Sequence, residues 1–427
     1  MKGILFSGGR AIDPVHGVDA VMDILVQGER ITSVERNITP PEGAEVIDCS
    51  GLIICPGLVD MHTHLREPGR EDKETIRTGI AAAAAGGFTA IACMPNTTPV
   101  NDNASVTEYI LGKAQECNSV RVLPVGSISK GLKGEALADI GELKDAGAVA
   151  LSDDGRPVRN ADLMRRALEY AGMFDVLIIS HCEDLDMAGD GVMNEGRVST
   201  RLGLPGIPAE AEEIMVAREI CLARLTGRPV HIAHVSTAGS VRLIRLAKQE
   251  GIPITAEVTP HHLCLTEEAV TGFDTNTKVN PPLRTKADQE ALIEGLKDGT
   301  IDVIASDHAP HTLAEKEMEY IYAPFGIIGM ETALPLILTN LFHQGFLDLA
   351  RIVFAMSINP AGILHLDRGG LIAGSHADLT IIDLEREWVV DVRSFRSKAR
   401  NSPFHGRHLK GCPVMTVCSG RIIFRAQ

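Results

Sequence analysis

The chain has 427 residues, 44% hydrophobic and 23% charged, which is apolar material enough for one large domain or a large domain with an accessory. Its net charge of −15 speaks against a nucleic acid or an anionic membrane surface as partner, since both need basic patches, but leaves an anionic small substrate open. The nine cysteines are odd in number and never spaced C-x-x-C, which argues against a disulfide framework and against a thiolate zinc site.

The opening MKGILFSGGRAIDP holds one lysine and a short apolar run, without the apolar centre of a signal peptide. The longest apolar stretches, Ile80 to Gly87 and Val176 to Ile179, fall far short of a membrane span, so the expected location is cytoplasmic. Short β-type runs come first: Ile4 to Phe6, Asp23 to Gln27, Ile31 to Glu35 and Ala44 to Asp48, with VQGERITSV reading as a hairpin that turns at Gly28. The pattern then alternates. Strands are predicted at Val59 to His64, Phe88 to Met94, Arg121 to Gly126, Ala148 to Asp153, Val176 to His181, Val230 to Val235, Ile252 to Val258 and Asp302 to Asp307. Helices fill the gaps: Lys73 to Ala85, Ala104 to Glu116, Ala136 to Ala146, Ala161 to Ala171, Ala209 to Thr226, Ala238 to Gln249 and Ala287 to Lys297, with Thr332 to Phe342 after the last strand. The end of the chain, ADLTIIDLEREWVV and VMTVCSGRIIFR, returns to strands with a turn at Gly420.

Strands apolar along their length and separated by amphipathic helices indicate a parallel sheet covered on both faces. Eight such units predict an α/β fold, a (β/α)8 TIM-like barrel over residues 56–365, with a small β-sandwich domain built from both termini, 1–55 plus 366–427. A doubly wound open sheet is the rival, but no G-x-G-x-x-G opens a first helix.

Barrel enzymes place their chemistry at the C-terminal ends of the strands. Those ends read Asp60-Met61-His62-Thr63-His64, Ser152-Asp153-Asp154-Gly155, Ser180-His181, Ala233-His234 and Ser306-Asp307-His308. His62 and His64 are two apart and share a strand face; by the same alternation Ile232 shares one with His234 and Ala305 with Asp307, leaving His231 and His308 toward the helices. An isolated H-x-H arises by chance, and Asp-Asp-Gly alone is most often a turn. Their coincidence at strand ends points instead to a metal site. Imidazole plus carboxylate suits zinc, and five or six ligands hold two ions, which activate water at neutral pH and polarise the carbonyl attacked.

These residues carry a resemblance. HTHLREPG (62–69), His181, AHVSTAGS around His234 and SDHAPH (306–311) resemble the amidohydrolase superfamily, and specifically the bacterial-type dihydroorotases whose metals are bridged by an aspartate rather than a carboxylated lysine. The likeness runs nearly end to end, through MPNTTP (94–99), EVTPHHL (257–263), VNPPLR (279–284) and APFGIIGMET (323–332). It implies zinc, one or two ions with two expected: His62, His64 and Asp307 on one, His181 and His234 on the other, and a bridge from Asp153 or Asp154, with the matching position favouring Asp154. No lysine lies between 145 and 155, which separates the chain from hydantoinase-like enzymes.

The substrate implied is N-carbamoyl-L-aspartate, closing to dihydroorotate. Arg66 is suited to its carboxylate, with Asn96 beside it. Asn280, His311, Phe325, Gly326 and His64 match positions that contact substrate in the family. Asp307 is implied as the base that becomes the acid. The residues 312–323 are read as a mobile loop over the site. The resemblance also allows a homodimer and association with an aspartate carbamoyltransferase. The alternatives are an allantoinase or hydantoinase-like enzyme, and an inactive scaffold for that transcarbamoylase; a plain structural metal protein is disfavoured.

Overall fold

The computed structural model describes residues 3–367 and 370–426, so residues 1–2, 368–369 and 427 of the range assigned to the small domain lie outside it. Eight parallel strands follow one another around a barrel: β1 (Leu58–Thr63), β2 (Phe88–Cys93), β3 (Arg121–Gly126), β4 (Ala150–Ser152), β5 (Leu177–Ser180), β6 (Val230–Ile232), β7 (Ile254–Val258) and β8 (Val303–Ile304). A bridge between Thr63 and His308 joins β1 to the end of β8 and closes the ring. The interior is filled by Val59, Met61, Ala90, Ala92, Val125, Ala150, Leu177, Ile179, Val303 and Ala305. The alternate residues, such as Ile91, Leu151, Ile178 and Ile232, pack outward with helix residues Ile80, Ile110, Leu168 and Ile244. Both faces are apolar because both are covered, as the continuous hydrophobic runs require.

The helices begin where side chains cap them. The helix α1 (Ile76–Ala85) starts three residues later than the apolar pattern predicts, because Thr75 accepts from the Thr78 amide and Thr78 caps back onto the Thr75 amide. The helix α2 (Ala104–Cys117) is capped by Asn103. The helix α3 is only Ile140–Asp145, not 136–146, because Asp139 takes the N-cap and Ala138 instead donates to the Ile128 carbonyl. The helices Ala161–Ala171, Glu210–Thr226, Ala238–Gln249 and Lys286–Asp298 lie where expected. After β8, helix Ala333–Ile337 runs into a π turn at Leu338–Phe342.

The termini together form one eight-stranded sheet around a core of Phe6, Ile24, Ile31, Ile54, Leu379, Ile381 and Val417. Its central strand, Ile53–Pro56, was not expected. It pairs in parallel with Ile4–Asp13 and antiparallel with Leu379–Val389, and so unites the two chain ends in one sheet. The run IICP merges into the apolar segment of β1, which hides its separate identity in the sequence. The hairpins turn at Gly28 and Gly420, both with positive φ, and they touch: a Cβ on Gly420 would sit 1.9 Å from the Gly28 carbonyl oxygen.

Candidate active site

The predicted site residues converge at the C-terminal mouth of the barrel. A cavity of about 250 Å³ is lined by His64, Arg66, Asn96, Asp154, His181, His234, Asn280, Asp307, His311, Phe325 and Gly326. His62 is not among the lining residues; it is buried, with Nε2 3.4 Å from Asp154 Oδ1.

Local backbone geometry aims these side chains. On β1 the register slips between Asp60 and Thr63, so one extra residue is inserted against β2. His234 does not reach the cavity by strand alternation. Ile232 packs outward and Ala233 inward, so alternation alone would turn His234 to the helices. β6 ends at Ile232, and His234 takes a φ of +30°, which re-aims its ring. Asp307 likewise sits beyond β8 with a φ of +47°. Such left-handed conformations cost energy in residues with a Cβ and concentrate at functional sites. His231, expected toward the helices, instead bonds Thr255 Oγ1 at 2.8 Å and Glu257 at 3.2 Å. His308 turns to Glu74, at 3.3 Å.

Two ligand-like triplets share one residue. Coordinating atoms of His62, His64 and Asp154 lie within 4.8 Å of one another, and so do those of Asp154, His181 and His234. Asp154 Oδ1 is 3.4 Å from His62 Nε2, 3.5 Å from His181 Nδ1 and 3.6 Å from His234 Nε2. Asp307 Oδ1 stands 3.2 Å from His64 Nε2 and 3.7 Å from His62 Nε2. Asp153, the neighbour that sequence left as an alternative, is turned away: it accepts from the amides of Ile128 (2.8 Å) and Ser129 (3.0 Å) and from the Ser129 hydroxyl. Burial raises its pKa to about 6 despite those bonds.

The electrostatics ask for a cation. Burial would raise Asp154, yet His62, His181 and His234 hold it well below the usual carboxylate range. Burial would lower His62, but Asp154 and Glu257 outweigh it and raise the ring well above its ordinary value; burial likewise opposes, and Asp154 and Glu183 override, the rise of His181 to about 10. The carboxylates thus draw positive charge onto ring nitrogens that face one another. His62 Nε2 and Asp154 Oδ1 are buried without a hydrogen-bond partner, although they face each other. That is the arrangement a metal ion between them would satisfy.

The far ring nitrogens are fixed. His62 Nδ1 meets Glu257 at 2.6 Å, His64 Nδ1 meets Asn96 Oδ1 at 2.9 Å, and His181 Nε2 meets Glu183 at 3.1 Å. Ligating histidines are oriented by partners of this kind. No spacing rule assigns Glu257 or Glu183 a role, yet EVTPHHL begins with Glu257, and Glu183 is two residues past His181. Glu183 also accepts from Asn280 Nδ2 at 3.0 Å, tying a pocket residue to a ring of the cluster. His261 and His262 are buried behind the mouth, with His262 bonded to Thr259 and the Pro281 carbonyl.

On the opposite wall, Arg66 has a φ of +62° and gives Nε to the Pro310 carbonyl at 3.2 Å. His311 Nε2 meets the Phe325 carbonyl at 2.7 Å. Gly326 has a φ of +121°, and a Cβ there would stand 2.7 Å from Ala309 Cβ. The segment 312–326 is tied down: Lys316 Nζ donates to the carbonyls of Thr275 and Pro324, and Lys278 Nζ to those of Tyr320 and Ile321.

A family model described as Dihydro-orotase-like matches residues 51–240. A protein of Syntrophus aciditrophicus (strain SB) named Dihydroorotase is 55% identical over 423 residues, covering 99% of each chain. One of the same name from Geobacter metallireducens (strain ATCC 53774 / DSM 7210 / GS-15) is 54% identical over 422 residues, again 99% of each. Among solved structures, the L-hydantoinase (dihydropyrimidinase) of Arthrobacter aurescens superposes with a TM-score of 0.89 at 26% identity, over 100% of this chain and 97% of the other. The dihydropyrimidinase of Brevibacillus agri NCHU1002 superposes with a TM-score of 0.85 at 22% identity, over 99% of this chain and 95% of the other, and shares the fold.

Proposed function

The chain belongs to the dihydroorotase family, and on that footing we propose that it interconverts N-carbamoyl-L-aspartate and dihydroorotate, a step of pyrimidine nucleotide synthesis, at the metal-dependent mouth of its barrel. The observation that carries this reading is the pair of triplets sharing Asp154 on the floor of a cavity whose lining contains one guanidinium, that of Arg66.

Zinc is the metal we infer, as two ions: His62, His64 and Asp307 would hold one, His181 and His234 the other, and Asp154 would bridge. Zinc so held supplies the Lewis acidity that activates water and polarises the amide carbonyl. The remaining work falls to the protein. Arg66 pairs with the ring carboxylate of dihydroorotate, and its fork geometry suits two parallel hydrogen bonds. Asn96, Asn280 and the wall of His311, Phe325 and Gly326 orient the ring. Asp307 accepts the proton of the attacking water and delivers it to the departing ring nitrogen; in ring closure it removes a proton from the carbamoyl nitrogen. Its carboxylate beside His64 is held as the anion, the form a base needs, because the neighbouring imidazoles outweigh burial.

We further propose residues 1–55 plus 366–427 and 56–365 as the two domains, a cytoplasmic setting compatible with nine free cysteines, and assembly as a homodimer or with an aspartate carbamoyltransferase. No described helix is long and apolar enough to cross a membrane.

The test is an ultraviolet assay of dihydroorotate ring opening on purified protein, with bound metal quantified in the same samples. Activity abolished by chelation and restored by zinc is expected. A filled metal site that leaves dihydroorotate intact would overturn the assignment.

A further inference from the structure

Behind the pocket wall, Lys73 is buried and faces two groups. Its Nζ is 3.0 Å from His311 Nδ1 and 2.8 Å from Glu315 Oε1. On its other side the His311 ring meets the Phe325 carbonyl through Nε2, at 2.7 Å. The direction of these bonds follows from chemistry. A lysine ammonium has only donors and a carbonyl only lone pairs. His311 must therefore accept at Nδ1 and donate at Nε2, which makes it a neutral ring in one defined tautomer.

We propose that Lys73 is a positioning residue: it locks His311 as the neutral Nε2–H tautomer, whose single proton is committed to the Phe325 carbonyl, and thereby sets the wall that faces the substrate carboxylate. His311 is then no anion-binding cation. Among the described residues that line the cavity, Arg66 alone carries a guanidinium or ammonium group to meet the substrate.

The surroundings sustain this state. Burial and the positive charges of Arg66, Lys73 and Lys316 keep His311 far below its ordinary pKa. Glu315 holds the ammonium in place; it is itself gripped by Arg70 at 3.0 Å and by the Thr312 amide at 3.1 Å. Lys73 thus joins the loop that carries Arg66, after β1, to the segment that carries His311, after β8. The wall it supports has little slack, since a Cβ on Gly326 would come within 3.2 Å of His311 Nε2. An opposed state, with His311 protonated on Nδ1, would have Glu315 Oε2 as its acceptor only at 3.5 Å, would set its N–H against the ammonium at 3.0 Å, and would leave Lys73 with Glu315 alone.

The inference about substrate rests on the dihydroorotase reading; the inference about the ring does not. Two-bond ¹H–¹⁵N correlation spectra of ¹⁵N-histidine-labelled protein assign the tautomer directly. The His311 resonances, identified by their loss in H311N, are expected to show a neutral Nε2–H ring unchanged between about pH 5.5 and 8.5. K73M is expected to leave Nδ1 without its donor, so that the neutral ring samples both tautomers, and to raise KM for dihydroorotate about tenfold with kcat changed less than threefold, while K73R, which keeps a donor, stays near the parent. An Nδ1–H or cationic His311 in the parent protein overturns the proposal, and that measurement stands even if K73M does not fold. An unaltered His311 spectrum and KM in folded K73M would overturn it as well. Failure of the dihydroorotase assay with the expected spectrum would sink the substrate assignment and leave the lysine lock standing.

Discussion

Asp153 and Asp154 are adjacent carboxylates with opposite surroundings, and replacing each in turn separates the cost of structure from the loss of chemistry. Asp154 touches His62, His64, His181 and His234 at 3.4–3.6 Å and is the member common to both triplets. Asparagine keeps its shape but removes the shared anion. Even an oriented partner behind a ligand is worth 10–100-fold in metal affinity or activity. Loss of a bridge should exceed that, and about 10³-fold in kcat/KM is expected, which corresponds to about 4 kcal/mol. Folding should hardly suffer, because the fully packed barrel beneath is untouched. Asp153 behaves the other way. It satisfies the amides of Ile128 and Ser129, and D153A leaves both buried and unpaired. At about 1–3 kcal/mol for each orphaned group, the loss is about 2–6 kcal/mol of stability. Urea denaturation, zinc content and dihydroorotate kinetics on the two variants check this. A D153A protein that keeps its denaturation midpoint but loses its zinc would refute the reasoning, because the wrong aspartate would then hold the metal.

Glu257→Gln should weaken zinc about 10–100-fold, measured by competition with a chromophoric chelator, since its carboxylate fixes His62 and His231 together. Arg66→Met should lower kcat/KM for dihydroorotate by about 10–100-fold, the worth of about 1.5–3 kcal/mol for a charge-assisted pair, with zinc content unchanged. Gly326→Ala forces a φ of +121° on a residue with a Cβ and drives that atom against Ala309, so KM should rise and the melting temperature fall; an alanine variant with parental kinetics would show that the wall does not touch substrate. Glu331 does not line the cavity; burial lifts its carboxyl to about 7 although the amides of Arg396 and Ser397 oppose the rise. Its folded value lies above the ordinary one, so the stability it contributes is complete at acid pH and is lost as pH climbs through about 7. Glu331→Gln should therefore melt higher than the parent at about pH 8.5 and match it near pH 5, and a difference independent of pH would contradict this.

Much of the architecture was legible because parallel strands covered on both faces announce themselves as apolar runs between amphipathic helices. Ala161–Ala171 and Ala238–Gln249 fall at the predicted bounds because Asn160 and Thr237 cap them where the apolar period begins. The boundaries that moved did so for local reasons. Asp139 ended the upstream extension of α3, and the strand Ile53–Pro56 was concealed inside an apolar run it shares with β1.

The site itself was legible in its residues but not in its geometry. Alternation places His62 and His64 together, yet the step that sets their register is an inserted residue, and no periodic rule contains a bulge. For His234 the rule points the wrong way: Ala233 fills the barrel, so regular β geometry would bury the ring among helices. What brings it to Asp154 is the termination of β6 and a left-handed residue just beyond it, repeated at Asp307 after β8. Both positive-φ residues lie just past the C-terminal ends of their strands, β6 and β8, where the ladder stops and backbone strain can be borne without breaking sheet hydrogen bonds. Glu257 belongs to the same logic. It lies within β7, so its position is rigid, and it receives His62 Nδ1, His231 Nε2 and the His234 amide at once. A lone glutamate in an apolar strand reads as an oddity in sequence, because nothing in period or spacing reveals three donors from two other strands. Its burial at full charge is tolerable only because those donors surround it, and in turn it fixes the direction in which His62 offers its remaining nitrogen. The orientation of the cluster thus depends on a residue that sequence periodicity would have marked as misplaced.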